Sequence, residues 1–345
     1  DYRCGEASLG WRFVRHWRCS NPQITPCGHG RALTDVVVSP SDTLSKPELV
    51  VLVGPTASGK SDTAMAAAVS HGNTHILVCD AMQVYRGMNI GTAKPTSGDQ
   101  VSVVHHGLDL VDPNGRFTVS DYQMYARAAV AQIHASGARA LVVAGTGLYL
   151  TALIDDLKFP GEWPEVREEL SREPNVDVLF DRLQNLDPLA ASKIERSNRR
   201  RIERALEVCI GSGQPFSATG PGTGAYPDNG VAQVGILWDR EVLATRVEQR
   251  VHQMMDEGFL QEVRELRETT SISHTARQAL GYRELLEHLE GKYSLTEAVR
   301  AMITHTRQFA VRQERWFRRD PRIRWVHIET DPVTEIGPIL AEHLR

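Results

Sequence analysis

One stretch restricts what this chain can fold into more than any other: Leu49-Val50-Val51-Leu52-Val53 followed by Gly54-Pro55-Thr56-Ala57-Ser58-Gly59-Lys60-Ser61. Five consecutive apolar residues rich in Val read as a strand buried on both faces, as in a parallel sheet. Gly54, Gly59, Lys60 and Ser61 then complete the G-x-x-x-x-G-K-[ST] spacing. In such a loop, backbone N–H groups and the next helix's N-terminus cradle a polyphosphate. The lysine neutralises it, and the serine can hold Mg²⁺. Asp62 to Ser70 supply the Ala-rich helix that must follow. A plain glycine turn needs neither flank, so the context favours a phosphate site.

With 345 residues the chain can bury a large core, and 41% hydrophobic with 24% charged residues fits a soluble protein. No apolar run reaches bilayer-spanning length, and residues 1–46 lack a secretory pattern; a cytoplasmic protein without a membrane partner is expected. The first methionine is Met65, so the first residue is expected to lie upstream of the natural start, with residues 1–46 a poorly ordered extension. Cys4, Cys19 and Cys27 with His29 fit no zinc spacing, and reduced thiols are expected.

The net charge of −4 argues against indiscriminate nucleic-acid binding, yet it averages uneven segments. Residues 155–187 hold ten acids against four bases, whereas 193–204 hold six bases against two acids. Residues 305–324 hold seven arginines against two acids. Such separation suits basic surfaces facing a polyanion, or equally solvated helix faces.

Further along, His75 to Cys79 reads as a second buried strand, ending at Asp80. The polar, Gly-punctuated segment from Asp80 to Lys94 reads as a loop with a short helix, at a strand's carboxyl end where α/β folds place ligand chemistry. Ser120 to Gln123 resembles a capping box opening a helix to Gly137. Ala140 to Val143 forms a third strand, followed by the turn Ala144-Gly145-Thr146-Gly147. From Leu157 short acidic helices (Val166 to Arg172, Val178 to Leu186) replace strands until Val231 to Trp238. A helix from Arg240 to about Arg267, another over Gln278 to Leu289, a long one capped by Ser294 and Glu297, and an edge strand over Ile323 to Ile328 complete the chain. On the long helix, Val299, Met302, Ile303, Phe309, Ala310 and Phe317 oppose Arg300, Arg307, Arg315, Arg318 and Arg319.

The predicted fold is therefore α/β: a P-loop-type parallel sheet with helices on both faces and a helical insertion domain. Residues 47–156 and 201–345 form the core with a C-terminal basic helix, and 157–200 the insertion. At the carboxyl edge, Met82, Gln83 and Tyr85 suit gripping a planar base, and Thr92 and Lys94 add a hydroxyl and a cation. Asp80 facing a base beside a polyphosphate cradle suggests attack by a base amine on an activated substrate. A Mg²⁺ ligand of an ordinary kinase remains open for it.

Six motifs occur in order: GPTASGKS (54–61), DAMQVYRGMNIGTAKP (80–95), AGTGLYL (144–150), RRIERALEV (200–208), QALGYREL (278–285) and TRQFAVRQERWFR (306–318). Together they closely resemble the tRNA dimethylallyltransferase (tRNA isopentenyltransferase) family from about Leu49 to Arg318. The family moves a dimethylallyl group from dimethylallyl diphosphate to the exocyclic amine of the adenine 3′ of the anticodon. The resemblance implies that Gly54, Thr56, Ala57, Ser58, Gly59, Lys60, Ser61, Thr92 and Arg204 hold diphosphate, with Mg²⁺ as cofactor on Ser61. Such loops are commonly labelled ATP-binding. It also implies Asp80, Thr146 and Lys60 as catalytic residues, Asp80 as general base and Thr146 in the channel between the substrates. Contacts to the tRNA anticodon stem-loop would come from Asp80, Ala81, Met82, Gln83, Thr146, Arg200, Arg201, Gln278, Gly281, Arg307 and Arg312, with Gln83 reading a flipped adenine. A monomer is expected. Two positions depart from the family: Ala81 stands where it usually has Ser, and Ala144 where it usually has a second Gly. An adenylate isopentenyltransferase acting on free nucleotide, a small-molecule kinase and a nonenzymatic RNA-binding module are the alternatives. The basic helix and insertion favour RNA over a free nucleotide.

Overall fold

The structure, a computed structural model, describes residues 49–345 except 221. The extension 1–46, with its cysteines Cys4, Cys19 and Cys27 and His29, lies outside the described residues. Along the chain run β1 (Leu49–Val53), α1 (Lys60–His71), β2 (Thr74–Cys79), α2 (Ser97–Ser102), β3 (His105–His106), α3 (Val119–Ala135), β4 (Arg139–Ala144) and α4 (Gly147–Ile154). Helices α5 (Pro164–Ser171), α6 (Val176–Leu186), α7 (Pro188–Ala191) and α8 (Arg199–Ser212) come next, then β5 (Ala232–Leu237). The chain continues through α9 (Arg240–Asp256), α10 (Phe259–Thr269), α11 (His274–Arg277), α12 (Tyr282–Leu289), α13 (Leu295–Phe317), β6 (Ile323–His327) and α14 (Pro332–Leu344).

The strands form one sheet in the order β3-β2-β4-β1-β5-β6. Every pairing is parallel; Val51 sits beside Val142 and Gln233 in register. The all-apolar β1 is central and buried on both faces. On one face α3 and α4 pack through Tyr122, Ala126, Ile133 and Leu150; on the other α1 and α14 pack through Ala64, Ala68, Ile336 and Leu340. This is the parallel sheet with two helical layers that strand–helix alternation predicts. A third cluster joins residues 84–88 to α9, α10, α12 and α13 through Tyr85, Phe259, Tyr282 and Met302. It roofs the carboxyl ends of β1, β2 and β4, where ligands bind in such sheets.

Several predicted boundaries move. The α3 capping box is formed by Thr118 and Asp121, two residues before the expected one. The helix expected over Arg240 to Arg267 breaks at Gly258, whose φ of +97° is left-handed. The next begins at Tyr282 because Gly281 has a φ of +83°, and a β-carbon there would collide with the Phe259 ring. The two-residue β3 was not anticipated, and no helix forms between Asp80 and Lys94. The insertion has its own small core, where Leu170, Leu179, Leu183 and Ala191 meet Ile202, Leu206 and Cys209 of α8. A boundary at 200 would cut α8 open, so the helical unit extends beyond it, to about Phe216.

Candidate active site

The site is built around the turn that follows β1. Ala57 has a φ of +61° and Gly59 a φ of +92°, which curls the chain around its own amides. Gly59 also has no room for a side chain: a β-carbon would come 2.7 Å from Pro332 at the start of α14. Trp238 Nε1 donates to Ser58 O at 2.9 Å, Arg246 Nε donates to Ala57 O at 2.8 Å, and the Arg246 guanidinium lies 4.7 Å from the Trp238 ring centre. Lys60 Nζ donates to Pro55 O at 2.6 Å.

Above this turn lies a cavity of about 830 Å³, large enough for two small substrates. Thr56, Lys60, Ser61 and Asp80 line it from the sheet side. Asp80 ends β2. Its Oδ1 accepts from Met82 N at 2.8 Å and Gln83 N at 3.3 Å, which fixes the carboxylate. Gly145 leaves room for the other oxygen, since a β-carbon there would stand 3.1 Å from Asp80 Oδ2. Thr146 Oγ1 accepts from Ala81 N at 3.0 Å, so its own proton can be donated into the cavity.

The helical side supplies residues that motif reading left unassigned. Gln313 is buried on α13 and bridges two turns. Its Oε1 accepts from Thr56 N at 2.8 Å, and its Nε2 donates to Gly145 O at 2.8 Å. Arg250 on α9 borders the cavity, and no described residue makes a hydrogen bond or ion pair with it. Burial pushes its guanidinium downward, with Asp62 and Asp80 pulling the other way. Lys60 is lowered to about 7, first by burial and then by the charge of Arg250, with Asp80 opposing. Two cations thus share a cavity wall without an anion of the described residues at bonding distance. Such an arrangement carries a standing desolvation cost that an anionic ligand relieves.

At the opposite end, buried Glu284 accepts from Gly281 N at 2.8 Å, Arg283 Nε at 3.1 Å and His305 Nδ1 at 2.7 Å. These bonds hold its carboxyl below the usual range despite burial. Arg283 and His305 border the cavity together with Gln278, Phe309 and Arg312. Glu262 fixes the adjoining loop, accepting from the backbone N–H groups of Asn89, Ile90 and Gly91 and from Tyr282 Oη.

Of the residues predicted from sequence, Thr56, Lys60, Ser61, Asp80, Ala81, Met82, Gln83, Thr92, Thr146, Gln278 and Arg312 meet at this one cavity. Gly54, Ala57, Ser58 and Gly59 shape the turn beneath it, and Gly281 shapes the α12 start. Arg204 is elsewhere: it donates to Pro160 O and Gly161 O and pairs with buried Glu207 at 3.0 Å. It stabilises the insertion and is absent from the cavity wall, which corrects its assignment to diphosphate. Arg200 and Arg201 lie exposed on α8, and Arg307 bonds Glu248 at 2.6 Å outside the cavity. Tyr85 is fully buried in the third cluster and cannot stack on a base. Lys94 is consumed by Asp109, Tyr85 O and Asn89. Gln83 Nε2 already donates to Thr92 O at 3.0 Å, and Thr92 Oγ1 donates to Met88 O at 2.6 Å. Among the described residues, no cluster of His, Cys, Asp and Glu suits a metal on its own.

Comparison with known proteins supplies an independent result. The family model described as IPP transferase matches residues 83–320. A tRNA dimethylallyltransferase of Bifidobacterium adolescentis is 40% identical over 314 residues, 88% of this chain and 92% of that one. One of Kineococcus radiotolerans is 44% identical over 289 residues, covering 81% and 90%. Among solved structures, the full-length tRNA isopentenylpyrophosphate transferase of Bacillus halodurans aligns with a TM-score of 0.63 at 35% identity, over 87% of this chain and 97% of that one. A eukaryotic dimethylallyltransferase acting on tRNA aligns with a TM-score of 0.68 at 25% identity, over 81% and 73%.

Proposed function

The chain belongs to the IPP transferase family, and from that premise we propose how its cavity performs the transfer. The enzyme is a prenyltransferase of the tRNA dimethylallyltransferase type. It moves a dimethylallyl group from dimethylallyl diphosphate to the exocyclic amine of the adenine 3′ of the anticodon. The observation that carries the reading is the meeting of a phosphate turn and a fixed, one-sided carboxylate in one cavity.

In this reading the diphosphate lies on the Thr56–Ser61 turn, against Lys60 and Arg250. The Ser61 hydroxyl borders the cavity and has no described protein partner, which suits it to hold Mg²⁺. When bound, the ion would neutralise further charge on the diphosphate. An adenine amine is a weak nucleophile inside a stacked loop, so the base must be flipped into the cavity. Asp80 Oδ2 accepts the amine proton as the N–C bond forms, while Oδ1 stays anchored. The allylic C–O bond breaks and diphosphate departs with the electron pair. Charge grows on the leaving oxygens, where Lys60 and Arg250 stabilise it most. Thr146 donates between the two substrates. Gln313 makes the two turns one rigid body, and positioning is worth several kcal/mol in a bimolecular transfer.

Basic rims at Arg312, Arg200 and Arg201 contact the anticodon stem-loop backbone. A tRNA substrate puts the enzyme in the cytoplasm in this reading, acting as a monomer; separately, no described helix is long and apolar enough to cross a membrane. The test is transfer from labelled dimethylallyl diphosphate to an unmodified anticodon stem-loop or to AMP. Transfer to the stem-loop is expected; transfer to AMP alone contradicts the reading.

A further inference from the structure

The chain leaves the α/β core for the helical insertion after α4 and returns ahead of β5, and both crossings meet one side chain. Arg322, in the short link between α13 and β6, donates from one terminal nitrogen to Asp155 Oδ1 at 2.6 Å and to Pro227 O at 2.7 Å. From the other it donates to Asp155 Oδ2 at 2.8 Å and Asp320 Oδ2 at 2.7 Å. Its Nε donates to Asp320 Oδ1 at 2.9 Å, and the Tyr226 ring centre lies 5.6 Å from the guanidinium carbon. Asn229 closes the group, donating to Ile154 O at 3.1 Å and Asp155 Oδ1 at 3.0 Å.

Asp155 is on the outgoing connection, Tyr226, Pro227 and Asn229 on the returning one, and Asp320 on the core. The side chains of Arg322, Asp155 and Asp320 are 14%, 3% and 12% exposed, so water has little access to replace these bonds. Other ties are weaker or one-sided. Gln123 reaches the outgoing side only, donating to Ala152 O and Leu157 O, and the pair Arg116–Glu162 is 60% and 39% exposed. The group also backs onto the active site. Tyr226, Asp320 and Ile323 share a small crevice with Gly147 and Trp316, and those last two also line the central cavity.

We propose that Arg322 is a positioning residue, a guanidinium fork that sets the angle at which the insertion presents its exposed basic face to tRNA. The inference rests on the tRNA-modifying reading above. A planar fork that satisfies both oxygens of Asp155 and Asp320 at once fixes direction as well as distance, which a lysine cannot do. The donor diphosphate binds entirely within the α/β core and does not feel this angle. The hub therefore acts on the tRNA side of the reaction only.

The test uses full-length Arg322→Gln and Arg322→Lys with wild type, read by amide hydrogen exchange and by steady-state kinetics. In Arg322→Gln, exchange across 155–158 and 226–231 is expected to rise about tenfold while the α6–α8 core stays protected. KM for tRNA is expected to rise about tenfold, with kcat and KM for the donor within about twofold. Arg322→Lys is expected to fall between the two. Unchanged exchange at the two connections overturns the proposal. So does a parallel rise in both Michaelis constants with general loss of protection, because it makes Arg322 merely structural. The exchange result stands on its own: a wild type that prenylates no tRNA removes the functional reading and leaves the hinge to be decided by exchange.

Discussion

Two sets of arginines separate here. On α8 and around it, Arg199 pairs with Glu203, Arg204 with Glu207, and Arg196 with both Asp177 and Asp181. In sequence this is the densest basic run, yet half of its six bases are answered within the insertion. Arg250 stands on α9 among Leu243, Val247 and Met254, and among the described residues it has no anion at bonding distance. The difference teaches that a run of positive residues does not locate a phosphate site. In the proposed mechanism a partly buried cation that faces the cavity without a partner does, because its desolvation is unfavourable until a ligand arrives.

The sharpest way to break that comparison is to remove one arginine from each set. Arg250→Met is expected to lower kcat/KM for the donor about 10²- to 10³-fold, since it withdraws charge from the leaving diphosphate. Arg204→Met is expected to leave kcat/KM within about twofold, and to cost about 1–2 kcal/mol of stability through Glu207. Steady-state kinetics and thermal melts check both. The reverse pattern would return diphosphate binding to α8.

Gln313 and Arg250 explain why part of the site was illegible in sequence. Each sits on the apolar face of an amphipathic helix: Gln313 between Ala310 and Phe317, Arg250 between Val247 and Met254. The signal was present as a polar residue on a buried stripe, but a stripe is read for its apolar members. The sheet-side wall was legible because its chemistry is local. Gly59 needs its own φ, and Asp80 ends a strand beside a turn defined by four consecutive residues. Tyr85 and Lys94 misled because proximity in sequence to Asp80 says nothing of facing: one became core and the other an internal ion pair. The fold itself followed from strand–helix alternation, while Gly258 and Gly281 broke helices that apolar periodicity alone would continue.

A smaller effect sharpens the same contrast through pH. Lys60 is lowered to about 7 in the cavity without ligand; a diphosphate bound against it, as proposed, would restore its charge. Below pH 7 the lysine is already charged and binding takes up little; above it the empty site has lost its proton and binding must regain it. Donor binding is therefore expected to take up about half a proton at pH 7 and more at pH 8, with affinity falling as pH rises from 7 to 9. Calorimetry in buffers of different ionisation enthalpy measures this. No proton uptake, or affinity that rises over that window, would separate Lys60 from the diphosphate.

In the proposed mechanism the carboxylate at the end of β2, not the phosphate turn alone, is what makes this cavity a prenyltransferase. Single-turnover transfer to an anticodon stem-loop, with wild type and Asp80→Asn, tests that claim most directly. A rate loss of about 10²- to 10⁴-fold is expected in the variant, with stem-loop and donor affinities within a few fold. A variant that transfers at the wild-type rate, or one whose loss lies wholly in binding, would contradict it.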